Sequence, residues 1–217
     1  MSLLSLIFPG KCIFCGRLLK GSAHGVCDGC MDEIAFAGEA ERGGGDELFD
    51  AAVSALAYEG KVREALHRFK FSGKQSYAAP LARILAFALE NGPGEPCDII
   101  IPVPTNRENV RKRGYNHAAL LARELSRLIG VPSLEALGKI RRTRPMFGLG
   151  IDERRANVQS AFALLCAPEK IRGKRVLLVD DVITTGATLS ACAGTLKEAG
   201  AEKVFCAAVA QTPKKNV

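Results

Sequence analysis

The sequence predicts an α/β fold, a parallel β-sheet flanked by helices, with a small cysteine-bearing element at its N-terminus. Three observations carry this. Short aliphatic runs at 98–103, 175–179 and 203–210 alternate with longer helix-like segments, the pattern of strands buried on both faces. One such run, Val176-Leu177-Leu178-Val179, leads straight into Asp180-Asp181, a Thr- and Gly-rich turn and another helix-forming stretch. An open α/β sheet keeps its ligand at such a strand end. Finally, four of the eight cysteines form two C-x-x-C pairs before residue 31.

The elements follow in order. Residues 8–30 are short, polar and cysteine-bearing, and 38–46 reads as a flexible linker around Gly43-Gly44-Gly45. Ala51 to Tyr58 suits a strand, and Val62 to Phe69 and Tyr77 to Leu89 suit helices, each after a Gly or Ser signal. Asp98 to Val103 is an aliphatic strand ended by Pro102 and Pro104. A basic loop is expected at 104–114, a helix from His117 to Ile129, and a polar, Arg-rich connection over 138–155. Then come strands at 158–165 and 175–179, a helix from Thr188 to Ala199 ended by Gly200, and a strand from Lys203 to Ala210. The expected division is 1–47 for the cysteine element and linker and 48–217 for the α/β domain.

Composition bounds the function. The 217 residues are 47% hydrophobic and 24% charged, ordinary for a globular protein. No apolar run is long enough to span a bilayer, and Met1 to Phe8 lacks the basic flank and cleavage site of a signal peptide. A cytoplasmic protein without membrane insertion is expected. Residues 105–155 hold 12 Lys or Arg against 5 Asp or Glu, which accounts for the whole net charge of +7. A polyanionic partner, a phosphorylated small molecule or nucleic acid, fits that segment.

Two adjacent carboxylates at a strand end repel each other and lose solvation, so Asp180 and Asp181 need a cation or sugar hydroxyls. Thr184, Thr185 and Thr188 offer hydroxyls, Gly186 lets backbone approach closely, and the next helix aims free N–H groups at the same spot, an anion site. An acidic strand cap with a Thr N-cap is the plainer reading; the strand before and the helix after favour a ligand. Arg107, Arg111, Lys112 and Arg113 follow the Ile100-to-Pro104 strand end and suit a dense phosphate charge, although such a run in isolation reads as a solvated basic loop. Cys12, Cys15, Cys27 and Cys30 have the spacing of a closed, structural zinc shell. Clustered pairs of this kind point to a reducing compartment, and the remaining cysteines read as small core residues. His24 lies nearby and reads as a surface residue.

The run from Leu177 to Leu189 resembles the 5-phosphoribosyl 1-pyrophosphate (PRPP) motif of type I phosphoribosyltransferases. Together with Phe8-Pro9-x-x-Cys12-x-x-Cys15-Gly16, Lys70-Phe71-x-Gly73, Arg113-Gly114-Tyr115-Asn116 and Arg154-x-x-Asn157-Val158, it resembles the competence protein F (ComF) family over essentially the whole chain. The resemblance implies a type I phosphoribosyltransferase fold with an N-terminal zinc element. It implies that Asp180 and Asp181 hold the ribose hydroxyls and are the candidate catalytic residues, and that Thr184, Thr185, Gly186, Ala187 and Thr188 wrap the 5-phosphate. Pro104, Thr105 and Arg107 form the pyrophosphate loop, beside the basic Arg111, Lys112 and Arg113, and Mg²⁺ accompanies PRPP. Some members are linked to DNA uptake. Three departures stand out: a glycine linker replaces further C-x-x-C pairs, His117 replaces a Gln, and Met146 stands where a Gln follows Thr143 by three residues.

The expected function is PRPP and magnesium binding, with transfer of phosphoribose to an acceptor, linked to DNA uptake or DNA metabolism. Relatives acting on 6-oxopurines carry a carboxylate where this chain has Thr184, which argues against a hypoxanthine or guanine acceptor. The alternative is a non-catalytic adaptor for single-stranded DNA or a helicase partner. The 6% aromatic content and the absence of Trp offer it few stacking platforms, and no helix-turn-helix signature supports a regulator.

Overall fold

Four aliphatic segments assemble into one sheet. The computed structural model describes residues 10–19, 25–34, 41–42, 48–92, 96–140 and 161–213. The two-residue β1 (Glu41–Arg42) is antiparallel to β2 (Ala51–Ala57), while β2, β3 (Ile99–Pro102), β6 (Arg175–Ile183) and β7 (Lys203–Gln211) are parallel, in the order β1-β2-β7-β6-β3. A separate antiparallel pair joins β4 (Leu137–Lys139) to β5 (Phe162–Leu164). The described helices are α1 (Asp28–Glu33), α2 (Gly60–Phe71), α3 (Ala78–Asn91), α4 (Arg107–Arg113), α5 (His117–Ile129) and α6 (Ala187–Glu198).

Strand alternation divides the core. Leu177 and Val179 share one side with Ile100 and Ala207, under Leu81 and Leu85 of α3 and Leu121 and Leu125 of α5. Val176 and Leu178 share the other with Ile101, Cys206 and Ala208, under Leu189, Cys192 and Leu196 of α6. Both faces are covered, so β6 reads as an unbroken apolar run before its carboxylates. Each buried Leu or Val contributes roughly 1.5–3 kcal/mol.

Charged side chains pin the strand starts. Asp98 accepts from the Arg175 amide at 2.8 Å and from its guanidinium at 3.0 Å, locking β3 onto β6, and Arg175 holds the Asp98 carboxyl down to about 2. Asp50 accepts from the Val204 amide at 2.8 Å and the Lys197 ammonium at 3.0 Å, locking β2 onto β7. The far ends are therefore in fixed relative position. There β3 stops at Pro102 opposite Val179, with one further bond from Val103 N–H to Val179 O at 2.8 Å. Pro104 has no N–H with which to extend the ladder. Strand β6 continues to Ile183, paired with β7, and no β3 residue pairs with it beyond Val179.

The cysteine element docks on α2 and α3. Arg68 of α2 donates to the carbonyls of Ile13 at 2.9 Å and Phe14 at 3.0 Å. A Cβ at Gly25 would fall 2.2 Å from Pro80 Cγ, so only glycine permits that contact.

Several expectations are corrected. Residues 107–113 are helix α4, not loop: Gly114 at φ 84° ends it, and Arg111, Lys112 and Arg113 fill its last turn, where cations complement the helix dipole. The carboxylates are not beyond the strand but inside β6, which runs to Ile183. The 138–155 connection begins within β4, and β4 and β5 pair outside the main sheet. The expected linker glycines, His24, Phe8-Pro9, and the segment holding Thr143, Met146, Arg154 and Asn157 lie outside the described residues. No helix of the described residues is long and apolar enough to cross a membrane.

Candidate functional site

Groups from α2, α5 and β6 itself meet near the C-terminal end of β6. Asp180 and Asp181 are neighbours in a strand, so their side chains leave opposite faces. Asp181 is 2% exposed and faces α5 and the end of α2; Asp180 is half-buried and its Oδ1 accepts the Asp181 N–H at 2.8 Å. With no β3 residue opposite them, both carboxylates still converge: ligand atoms of Asp180, Asp181 and His117 all lie within 4.8 Å of one another.

A cation already serves this cluster. Lys70 Nζ lies 2.8 Å from Asp181 Oδ2 and His117 Nε2 lies 3.4 Å from the same oxygen, yet neither contact is directed as a hydrogen bond. Burial pushes the Asp180 carboxyl up to about 7, and the Lys70 charge opposes this. Burial, with the charges of Lys70 and Arg113, pushes His117 down to about 3. The imidazole is therefore neutral, and its buried Nδ1 has no hydrogen-bond partner among the described residues. Burial lowers Lys70 as well, with Asp180 opposing and Arg113 reinforcing the shift.

The Gly114-Tyr115-Asn116-His117 run holds this geometry. Gly114 ends α4 in the left-handed region. The Tyr115 hydroxyl donates to Phe69 O at 2.5 Å, tying the run to α2 next to Lys70. Asn116 caps α5 by accepting the Ala118 N–H at 3.1 Å and donates to Val103 O at 3.1 Å. One residue thereby fixes both the start of α5 and the loop after β3, and His117 enters the cluster as the first residue of α5.

The turn after β6 leads into α6 at Ala187, one residue before the expected start at Thr188. Thr184, Thr185 and Thr188 are exposed, Gly186 and Ala187 half-buried. Gly186 takes φ 73° as N-cap of α6 and has no side chain to satisfy the helix start. Thr185 Oγ1 is 3.5 Å from the Ala187 N–H, at the long limit of a hydrogen bond. First-turn amides are thus available to an anion. Thr212 braces the turn by donating to Thr184 O at 3.2 Å.

On the other wall, Pro104 and Thr105 are half-buried in the loop before α4, and Arg107 begins that helix. The three later cations separate: Arg111 and Lys112 are exposed, whereas Arg113 is half-buried with its guanidinium carbon 4.4 Å from the Phe71 ring centroid. Sequence reasoning assigned no role to Lys70, Phe71, Tyr115 or Asn116. The motif Lys70-Phe71-x-Gly73 was a signal, but its link to the carboxylates is tertiary. A cavity of about 390 Å³ lies at the opposite ends of the strands, among Ala51, Leu89, Leu177 and Phe205. Its one charged lining residue among those described is Glu90, which disfavours a phosphate.

Sulfurs of Cys12, Cys15, Cys27 and Cys30 lie within 4.8 Å of one another, with Cys15 and Cys27 3.6 Å apart. Tetrahedral zinc with its usual bond length separates sulfurs by about 3.8 Å, so the cluster is compatible with a structural zinc. Burial opposes ionisation of Cys12, but hydrogen bonds from Cys15, Cys27 and Phe14 outweigh it and hold Cys12 at about 6. Burial and the neighbouring thiols push Cys30 up to about 12. A divalent cation removes that conflict.

Comparison with known proteins agrees with this architecture. The phosphoribosyl transferase domain family matches residues 109–217. Competence protein F of Haemophilus influenzae is 31% identical over 91% of this chain and 95% of its own. DNA utilization protein YhgH of Salmonella typhi is 28% identical over 92% and 96%, and competence protein ComFC of Bacillus subtilis 28% over 87% and 72%. Among solved structures, the purine phosphoribosyltransferase of Pyrococcus horikoshii is 21% identical, with a TM-score of 0.41 over 66% of this chain and 77% of that one. With its type I phosphoribosyltransferase fold and four-cysteine N-terminal element, the chain belongs to the competence protein F family.

Proposed function

We propose that this chain binds PRPP with Mg²⁺ at the C-terminal ends of β3 and β6 and transfers the phosphoribosyl group to an acceptor, in the service of DNA uptake or utilization. The observation that carries this reading is the meeting of the Asp180 and Asp181 carboxylates near the end of β6, which leads through the short turn Thr184, Thr185 and Gly186 into the N-terminus of α6. In this reading Asp180 and Asp181 accept from the ribose hydroxyls. Thr184, Thr185, Gly186, Ala187 and Thr188 hold the 5-phosphate, and Pro104, Thr105 and Arg107 meet the pyrophosphate. Mg²⁺ suits the hard oxygen donors of this ligand and neutralises its pyrophosphate when bound. Transfer breaks the bond from C1 to pyrophosphate while a nucleophile attacks C1, and the protein acts by positioning and by charge stabilisation. Thr184 offers no carboxylate base, so a 6-oxopurine acceptor is not expected. Calorimetry with PRPP and Mg²⁺ tests the reading on wild type and on Asp180→Asn/Asp181→Asn. Binding by wild type and its loss in the variant are expected; no binding, or equal binding by both, refutes it.

The exposed Arg111 and Lys112 on α4 favour a second reading, a nucleic-acid-binding adaptor for single-stranded DNA or a helicase partner. The names of the relatives, competence and DNA utilization proteins, accord with it. Filter binding of single-stranded DNA is then expected to weaken steeply with salt, and Arg111→Ala/Lys112→Ala to lower the logarithmic salt slope by about 2. DNA that fails to bind at low salt removes this reading.

A further inference from the structure

We propose that Lys70 is a ligand-binding residue of this site, its ammonium shared between Asp181 and the pyrophosphate of the bound ligand. The inference rests on the PRPP reading above and assigns a cation from α2, outside every segment named for that ligand. Asp181 is 2% exposed, and a carboxylate so buried requires a counter-charge. Lys70 supplies it at 2.8 Å. A purely structural partner would be sealed in with the carboxylate, whereas the Lys70 side chain retains 21% exposure. An ammonium has three donors, so it can keep one acceptor while taking a second.

Its surroundings identify that second acceptor as an anion. Tyr115 ties α2 to the run that holds Val103 and the following loop, so Lys70 stands against the wall that faces a pyrophosphate. The Arg113 guanidinium carbon lies 4.4 Å from the ring centroid of Phe71, the residue that follows Lys70, so a second cation borders the same helix end. Ribose hydroxyls donating to Asp181 meet part of its hydrogen-bonding demand, while the ammonium keeps that carboxylate as one acceptor and turns its remaining donors to the phosphate oxygens. A phosphorylated ribose without pyrophosphate offers no such second partner.

Two ligands separate the roles. PRPP with Mg²⁺ and ribose 5-phosphate are titrated into wild type, Lys70→Met and Lys70→Arg, with thermal melts to confirm folding. Lys70→Met unpairs Asp181 and weakens both ligands to that extent, and it is expected to lose about ten-fold or more in PRPP affinity beyond its loss for ribose 5-phosphate, the worth of a charge-assisted hydrogen bond; Lys70→Arg restores most of that excess. Equal weakening of both ligands means that Lys70 only holds Asp181, and unchanged PRPP affinity means that it does not contact the ligand; either overturns the proposal. A wild type that binds neither ligand defeats the PRPP reading and this inference with it. Should Lys70→Met fail to fold, amine acylation of wild type read by mass spectrometry decides: PRPP protects Lys70 and ribose 5-phosphate does not, whereas equal protection by both, or by neither, overturns the proposal.

Discussion

Asp180 and His117 titrate in opposite directions within a few ångströms. A ligand that donates to Asp180 needs its carboxylate, and burial holds that group near 7. Affinity for PRPP with Mg²⁺ is therefore expected to rise between about pH 6 and about pH 8, and Asp180→Asn to flatten the profile; an identical profile in the variant refutes Asp180 as the titrating group. Stability follows separate signs. The folded chain binds the Asp180 proton more tightly than the unfolded chain does, so this residue favours folding as pH falls from about 7 toward the ordinary carboxyl value. His117 is shifted down to about 3, so its contribution is present above the ordinary histidine value and is lost as pH falls toward about 3. His117→Gln is expected to lessen the destabilisation at about pH 4, relative to wild type, by roughly 3 kcal/mol, measured by urea denaturation across pH. An imidazole is recognisable in any sequence; its burial against Lys70 and Arg113, which keeps it neutral, comes from packing.

At the scale of elements, the connections after β3 and β6 determine where the polar groups stand. Asn116→Ala removes the α5 cap and the bond to Val103 O. Each is worth about 1 kcal/mol, so a loss of about 2 kcal/mol by denaturation is expected, together with weaker PRPP binding as the 102–106 loop loosens. Gly186→Ala meets no clash, since the new Cβ would lie 3.8 Å from the Phe49 ring, but φ 73° is left-handed backbone. A loss of about 1–2 kcal/mol is expected from that alone. Helix α4 was legible only in part. Asn106 and Gly114 bracket it as cap residues and Glu108 stands in its first turn, but a segment with so few apolar residues lacks the periodicity that marks a helix, and it reads as loop. Strands β6 and β7 were legible because burial on both faces leaves an uninterrupted apolar signature.

Across the whole molecule, the cysteine element and the α/β core are joined through Arg68 and the Gly25–Pro80 contact. A structural metal makes that joint part of folding stability. One zinc per chain is expected by elemental analysis, and a chelator or Cys12→Ser/Cys15→Ser is expected to lower Tm and detach the element, read as faster hydrogen exchange in α2; unchanged exchange without metal refutes the coupling. By itself the sequence determined the fold class, the four clustered thiols and the segments that carry the acidic pair and the threonine-rich turn. These depend on local periodicity, on short-range spacing and on residues contiguous in the chain. Only the tertiary structure decided that Lys70 and His117 share one oxygen of Asp181, that Arg113 parts from Arg111 and Lys112, and that Asp180 is held near neutral pH. Those facts depend on desolvation and on contacts between residues from Lys70 to Asp181, more than a hundred positions apart, to which no local pattern is sensitive.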